Sequence, residues 1–196
     1  MKKIILASKN KGKIKELEEM LEGENIKVTS LLDVEFEDIP ETGETFAENA
    51  KIKAEAAAQA FNSPAVADDS GLEIDALQGR PGVYSARYAG EEKSDEKNME
   101  KVLQELKYVP VNQRSARFVS TIAVAVPGKE TLVVEGIVNG VITEKKQGDK
   151  GFGYDPIFYV PELGKTMAEL PPEEKNRISH RKRALEKLQK RWKDIL

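Results

Sequence analysis

The 196-residue chain has no cysteine. Disulfides, thiolate metal sites and a cysteine nucleophile are therefore excluded together. It has a single histidine, so one chain cannot build a multi-histidine metal site, and any metal has to be held by oxygen. Long apolar runs are missing too. The N-terminal MKKIILASKN turns polar after the short run IILA, too short for a signal peptide or a membrane span. A reducing cytoplasm is the expected location. Positive charge is not in excess, and the net charge of −3 argues against broad, non-specific nucleic-acid binding. What remains is a globular composition, 39% apolar and 33% charged, long enough to bury a core without covalent staples.

Periodicity suggests an α/β layout. A short apolar strand over 3–7 precedes a helix over 11–21, with Ile14, Leu17, Met20 and Leu21 at helical spacing, and then a second strand over 26–32. Residues 34–45 read as an acidic loop broken by Pro40 and Gly43. Thr45 opens an alanine-rich helix to about Phe61, with Glu48 completing a capping box. Extended pieces follow over 64–68 and 72–75, with a GRPG turn after them. A helix capped by Ser94 and Asp95 runs to about Lys107, and two β-rich stretches, 117–126 and 131–143, flank Pro127–Glu130 as a long hairpin. A glycine-rich loop over 148–153 leads into 154–160. The tail from Pro172 is helical, with a break near Ser179. The expected architecture is a mixed sheet flanked by helices, one domain over 1–196 whose two lobes share the sheet around a central cleft.

Four stretches carry side chains suited to chemistry. Ser8, Lys9, Asn10, Lys11, Gly12 and Lys13 sit at a strand-to-helix junction, where free N–H groups and the helix dipole favour anions. The stretch lacks the Walker pattern; taken alone, Ser8 or Asn10 can equally well cap a lysine-rich helix. Glu41, Asp68 and Asp69 supply the carboxylate oxygens that a hard ion such as Mg²⁺ takes, the ion keeping waters for bound phosphates. On an extended strand Asp68 and Asp69 point to opposite faces. Their Asp-Ser-Gly setting is also a common polar turn. Glu73 and Asp75 alternate with Leu72 and Ile74 as ordinary polar positions. Phe152, Gly153, Tyr154 and Asp155 put aromatics beside small residues, which lets a flat ring approach the backbone and stack. Lys175, His180 and Arg181 are donors near a helix junction, with a basic helix face as the simpler alternative.

In sequence order, these stretches resemble the inosine triphosphate pyrophosphatase family, enzymes that hydrolyse non-standard purine nucleoside triphosphates. The matching motifs are Ser8-x-Asn10-x-x-Lys13, Glu41-Thr-Gly-x-Thr-Phe-x-Glu48-Asn49-Ala50, Ala67-Asp68-Asp69-Ser70-Gly71-Leu72, Gly82-x-Tyr84-Ser85-Ala86-Arg87-Tyr88, Gly151-Phe152-Gly153-Tyr154-Asp155-Pro156 and Ser179-His180-Arg181. Each is short; six in order across nearly the whole chain are specific. The resemblance implies a Mg²⁺-dependent hydrolase that converts ITP, dITP or XTP to the monophosphate and pyrophosphate. It also implies an elongated two-lobed α/β fold and a homodimer. By residue, it implies that Ser8 to Lys13 hold the triphosphate, that Asp69 binds metal and orients water, that Glu41 is a further metal ligand and that Asp68 supports. Lys53 reaches phosphate, Ser70 lies beside the nucleotide, and Phe152, Gly153, Tyr154, Asp155, Lys175, His180 and Arg181 form the nucleoside pocket.

Elementary chemistry is consistent with that assignment. Attack at the α-phosphorus requires the charge on the triphosphate and on the leaving pyrophosphate to be neutralised, which lysines and a divalent ion do. Donors aimed at a 6-oxo group accept hypoxanthine and xanthine but are left unpaired against the amino group of adenine. Two other readings share the same residues: a non-catalytic purine-nucleotide binding or sensing module, and a sister pyrophosphatase for pyrimidine or modified nucleotides.

Overall fold

The computed structural model describes residues 2–195. Strands β1 (Lys2–Leu6), β2 (Ile26–Ser30), β3 (Ala65–Ile74), β4 (Ser115–Ala125), β5 (Leu132–Ile142), β6 (Phe158–Val160) and β7 (Lys165–Thr166) form one sheet in the order β2-β1-β3-β4-β5-β6-β7. β1 runs parallel to β2 and β3, whereas β6 runs antiparallel to β5 and β7. The sheet is therefore mixed, as the sequence suggests. Its helices are α1 (Lys11–Met20), α2 (Phe46–Phe61), α3 (Asp95–Glu105), α4 (Pro172–Ile178) and α5 (His180–Ile195), the last two broken at Ser179. Among the described residues, no helix is long and apolar enough to cross a membrane. The chain divides into two compact units: residues 1–69, 120–136 and 184–196, and residues 70–119 and 137–183.

The first unit shows strand periodicity at work. Ile4, Leu6 and Val66 pack with Leu17 of α1 and with Ala184, Leu188 and Trp192 of α5. The intervening Ile5, Ala7, Ala65 and Ala67 pack with Ala50, Ala54, Ala57 and Ala58 of α2. Two-residue alternation thus gives each face its own helices. It also decides the acids: Asp68 is in phase with Val66 and the α1 face, Asp69 with Ala67 and the α2 face. Alanine on both sides of the α2 layer lets helix and sheet backbones approach closely. The helix begins where the sequence expects, with Thr45 Oγ1 accepting from Glu48 N at 3.1 Å and Glu48 Oε2 accepting from Thr45 N at 3.2 Å.

One local expectation gives way. The chain does not turn at Asp-Ser-Gly; β3 runs without interruption from Ala65 to Ile74. Leu72 and Ile74 are fully buried in the core of the second unit, with Leu77, Val102, Leu106, Phe118, Ile142 and Phe158. That burial, and the Leu72 N–H bond to Ser85 Oγ at 2.9 Å, hold the strand extended past the residues that favour a turn. Glu73 and Asp75 accept from Arg117, at 2.6 and 3.4 Å. They remain polar positions beside a strand, here tied into an ion pair. α3 is fixed at its C-terminal end by buried Arg114, whose guanidinium donates to the carbonyls of Leu106, Val109 and Thr143 at 2.8–2.9 Å. Three carbonyl acceptors offset the desolvation of the buried charge.

Candidate active site

In the first unit, α1 starts at a side-chain cap. Asn10 Oδ1 accepts from Gly12 N at 2.9 Å and Lys13 N at 3.2 Å, while Ser8 Oγ accepts from Asn10 N at 3.1 Å. The capping reading of this loop is what the structure shows, with Lys9, Lys11 and Lys13 carried around the helix start. Lys9 pairs with Asp38 at 2.7 Å, and Lys13 crosses to buried Asp68 at 2.6 Å. Asp68 is thus held by a cation on its own face of the sheet.

On the opposite face, Asp69 meets α2. Its Oδ2 accepts from Asn49 Nδ2 at 3.0 Å, and its Oδ1 lies 3.9 Å from Lys53 Nζ. The same ammonium is 2.5 Å from Glu41 Oε1. Asn49 and Lys53 are one helical turn apart and so share a face. Glu41 is brought in by the loop before α2, which is tied down when Gly43 N donates to Asn49 Oδ1 at 2.7 Å. A Cβ at Gly43 would lie 2.6 Å from that of Glu48 and 2.8 Å from Asn49 Oδ1, so only glycine lets the loop pass this close.

Glu41 and Asp69 already converge on one cation. Two hard carboxylates, with neither imidazole nor thiolate, fit a small divalent ion that keeps its other positions for water and phosphate oxygen. Among the described residues, no group of three or more His, Cys, Asp or Glu side chains is arranged to hold a metal alone.

The second unit gathers the aromatic loop. Phe152 is 78% exposed. Lys175 Nζ sits 4.4 Å from its ring centroid and also pairs with Asp155. Asp155 is buried, and Phe152 N donates to its Oδ2 at 3.0 Å. Burial pushes the Asp155 carboxyl above the ordinary carboxylate range, against the opposing pull of Lys175 and the Phe152 N–H. Tyr154 is buried, and its hydroxyl donates to the Ser85 carbonyl at 2.7 Å. Burial raises its phenol well above its usual value, so it remains a neutral donor. His180 stacks on Phe118 at 5.2 Å and 20°. Arg181 follows it, half-buried, in the first turn of α5. Ser70 follows Asp69 in β3 and is half-buried.

A model of the Ham1 family matches residues 4–191. The chain belongs to the Ham1 family. Its relatives include proteins named dITP/XTP pyrophosphatase. One, from Geobacillus kaustophilus, is 56% identical over 197 residues, covering 100% of this chain and 97% of the relative. Another, from Halalkalibacterium halodurans, is 60% identical over 195 residues, covering 99% and 100%. Among solved structures, the Ham1 protein of Staphylococcus aureus superposes with a TM-score of 0.92 at 49% identity, covering 98% of this chain and 99% of that one. A HAM1 protein from Coxiella burnetii gives 0.94 at 45% identity, covering 99% and 100%. The resemblance carried by the six motifs is borne out, and so is the α/β fold it implies.

Reading the sequence overlooks Asn49. It lies inside a quoted motif, yet nothing in a helical Glu-Asn-Ala marks the asparagine as 1% exposed and bonded to an acid twenty residues on. The signal available is a strongly polar side chain one residue after the capping-box glutamate, in register with buried alanines.

Proposed function

We propose that the chain hydrolyses the non-standard purine nucleoside triphosphates ITP, dITP and XTP to the monophosphate and pyrophosphate, clearing them from the nucleotide pool. The observation that carries this reading is the meeting of Glu41, Asp69 and Lys53 around one point, with Asn49 holding the second oxygen of Asp69. The names of relatives at 56–60% identity over essentially the full chain support it.

Lys53 and the loop Ser8, Lys9, Asn10, Lys11, Gly12 and Lys13 bind the phosphates and offset their charge. Asn49 holds Oδ2 of the Asp69 carboxylate, leaving Oδ1, on the Lys53 side, to orient or deprotonate the attacking water. Asp68 is in support: paired with Lys13, it positions that lysine. Glu41 and Asp69 would hold Mg²⁺, which would supply charge neutralisation and activation of water. Lys53, paired with Glu41 and close to Asp69, is the cation beside those carboxylates that would contact phosphate. Phe152 stacks on the base, and Gly153 lets the base approach the backbone. Tyr154, Asp155 and Lys175 frame the nucleoside, and Ser70 lies beside it. His180 and Arg181 donate to the 6-oxo group, which adenine lacks. The expected setting is the reducing cytoplasm, and the expected assembly is a homodimer with neither nucleic acid nor membrane as partner. A monomeric mass by light scattering at micromolar concentration would contradict the dimer.

Asp69→Asn tests the chemical assignment. The neutral side chain retains an acceptor for Asn49 but cannot serve as metal ligand and base together. Pyrophosphate release from XTP should fall to background while the melting temperature stays close to that of the parent. Full turnover in this variant would remove Asp69 from the mechanism.

A further inference from the structure

The motif Gly82-x-Tyr84-Ser85-Ala86-Arg87-Tyr88 has no part in the mechanism above, and neither does α3. The structure joins both to the aromatic loop. Ser94 Oγ caps α3 by accepting from Lys97 N at 3.3 Å, so the adjacent Asp95 is not needed for that task. Its carboxylate instead accepts from Gly153 N at 2.7 Å, 58 residues away in sequence. One turn later, Asn98 is 2% exposed. Its Oδ1 accepts from Ala89 N at 2.7 Å, and its Nδ2 donates to Ala86 O at 3.1 Å and Ser85 O at 3.4 Å. The Ser85 carbonyl is also the acceptor for the Tyr154 hydroxyl at 2.7 Å.

Two ties thus run from the first turns of α3 to the loop carrying Gly153, Tyr154 and Asp155. One is direct, through Asp95. The other passes through Asn98, the Ser85 carbonyl and Tyr154. The loop itself is tightly wound: Gly151 and Gly153 have φ of +77° and +59°, and a Cβ at Gly151 would come 2.1 Å from Asp155 Oδ2. Left-handed glycines have little intrinsic preference for one conformation, so such a loop needs outside anchors to present one geometry. Arg114 anchors the far end of α3 to its own unit, which makes the helix a firm support.

We infer that Asp95 is a positioning residue for base recognition, holding the Gly153 N–H so that the loop presents Tyr154 and Asp155 in one fixed arrangement, with Asn98 and Ser85 fixing its other side. The inference rests on the reading of Phe152 to Asp155 as the base pocket.

The test compares Asp95→Ala with Asp95→Asn in the full chain, with XTP as substrate. Losing a hydrogen bond to a charged group weakens an interaction by about tenfold or more. Asp95→Ala should therefore raise KM about tenfold with kcat little changed. Asp95→Asn keeps an oxygen for the same N–H and should restore most of the affinity. A purely structural role in α3 predicts instead that both variants melt earlier at unchanged KM. Wild-type KM in the alanine variant, or equal impairment of both variants, overturns the inference. Phe152→Ala, measured alongside, separates the two levels. If it leaves the KM for XTP unchanged, the base-pocket reading fails. If it raises KM while Asp95→Ala does not, only the role of Asp95 fails.

Discussion

At the scale of single residues, the site is decided by which oxygen of which acid is already engaged. Asn49 has both ends of its amide assigned, Oδ1 to Gly43 N and Nδ2 to Asp69 Oδ2. It therefore couples the position of the Glu41 loop to the orientation of the Asp69 carboxylate. Side chains that orient metal-binding groups typically matter by roughly 10–100-fold. Asn49→Ala should lower kcat for XTP by about that range and weaken the response to added Mg²⁺. Steady-state kinetics over a Mg²⁺ titration check this, and unaltered kinetics would remove Asn49 from the site. Asp68 and Asp69 show how neighbours in sequence separate: one answers to Lys13 and the other to Asn49 and Lys53. Their opposite facing was legible from strand geometry alone. Their partners were not, because pairing over 20 or 55 residues depends on which helix covers which face.

At the scale of elements, α2 has the central part. Its buried alanines let it lie close on the sheet, and this closeness brings Asn49 and Lys53 within reach of Asp69. Ala54→Leu adds volume where there is no space; overpacking of this kind costs about 1–3 kcal/mol. Both the melting temperature and kcat should drop, because the helix that carries Asn49 and Lys53 is pushed outward. A variant with an unchanged melting temperature would show that this layer is not tightly packed. The alanine spacing and the Thr45–Glu48 capping box made α2 readable in advance, as did the helical and strand periods of α1, β1 and β2. The Asp-Ser-Gly segment was less readable. Local turn preference suggested a break, and burial of Leu72 and Ile74 overrode it. The ties from α3 to the aromatic loop had no local signal, since Asp95 at a helix start looks like any acid favoured by the helix dipole.

At the scale of the whole molecule, an anionic chain has to bind a polyanion. In the proposed reading, Lys13 and Lys53 meet the phosphates. Lys13 and Lys53 are each paired with a carboxylate, Asp68 and Glu41. In the same reading, discrimination between bases falls to the aromatic loop and its donors. The measurement that tests this account most directly is pyrophosphate release over a panel of XTP, dITP, ITP, GTP, ATP and the pyrimidine triphosphates, with and without Mg²⁺. The account predicts stoichiometric monophosphate and pyrophosphate from XTP, dITP and ITP, dependence on Mg²⁺, and little product from ATP. Tight binding of XTP with no pyrophosphate released, or preferential hydrolysis of a pyrimidine nucleotide, would contradict it.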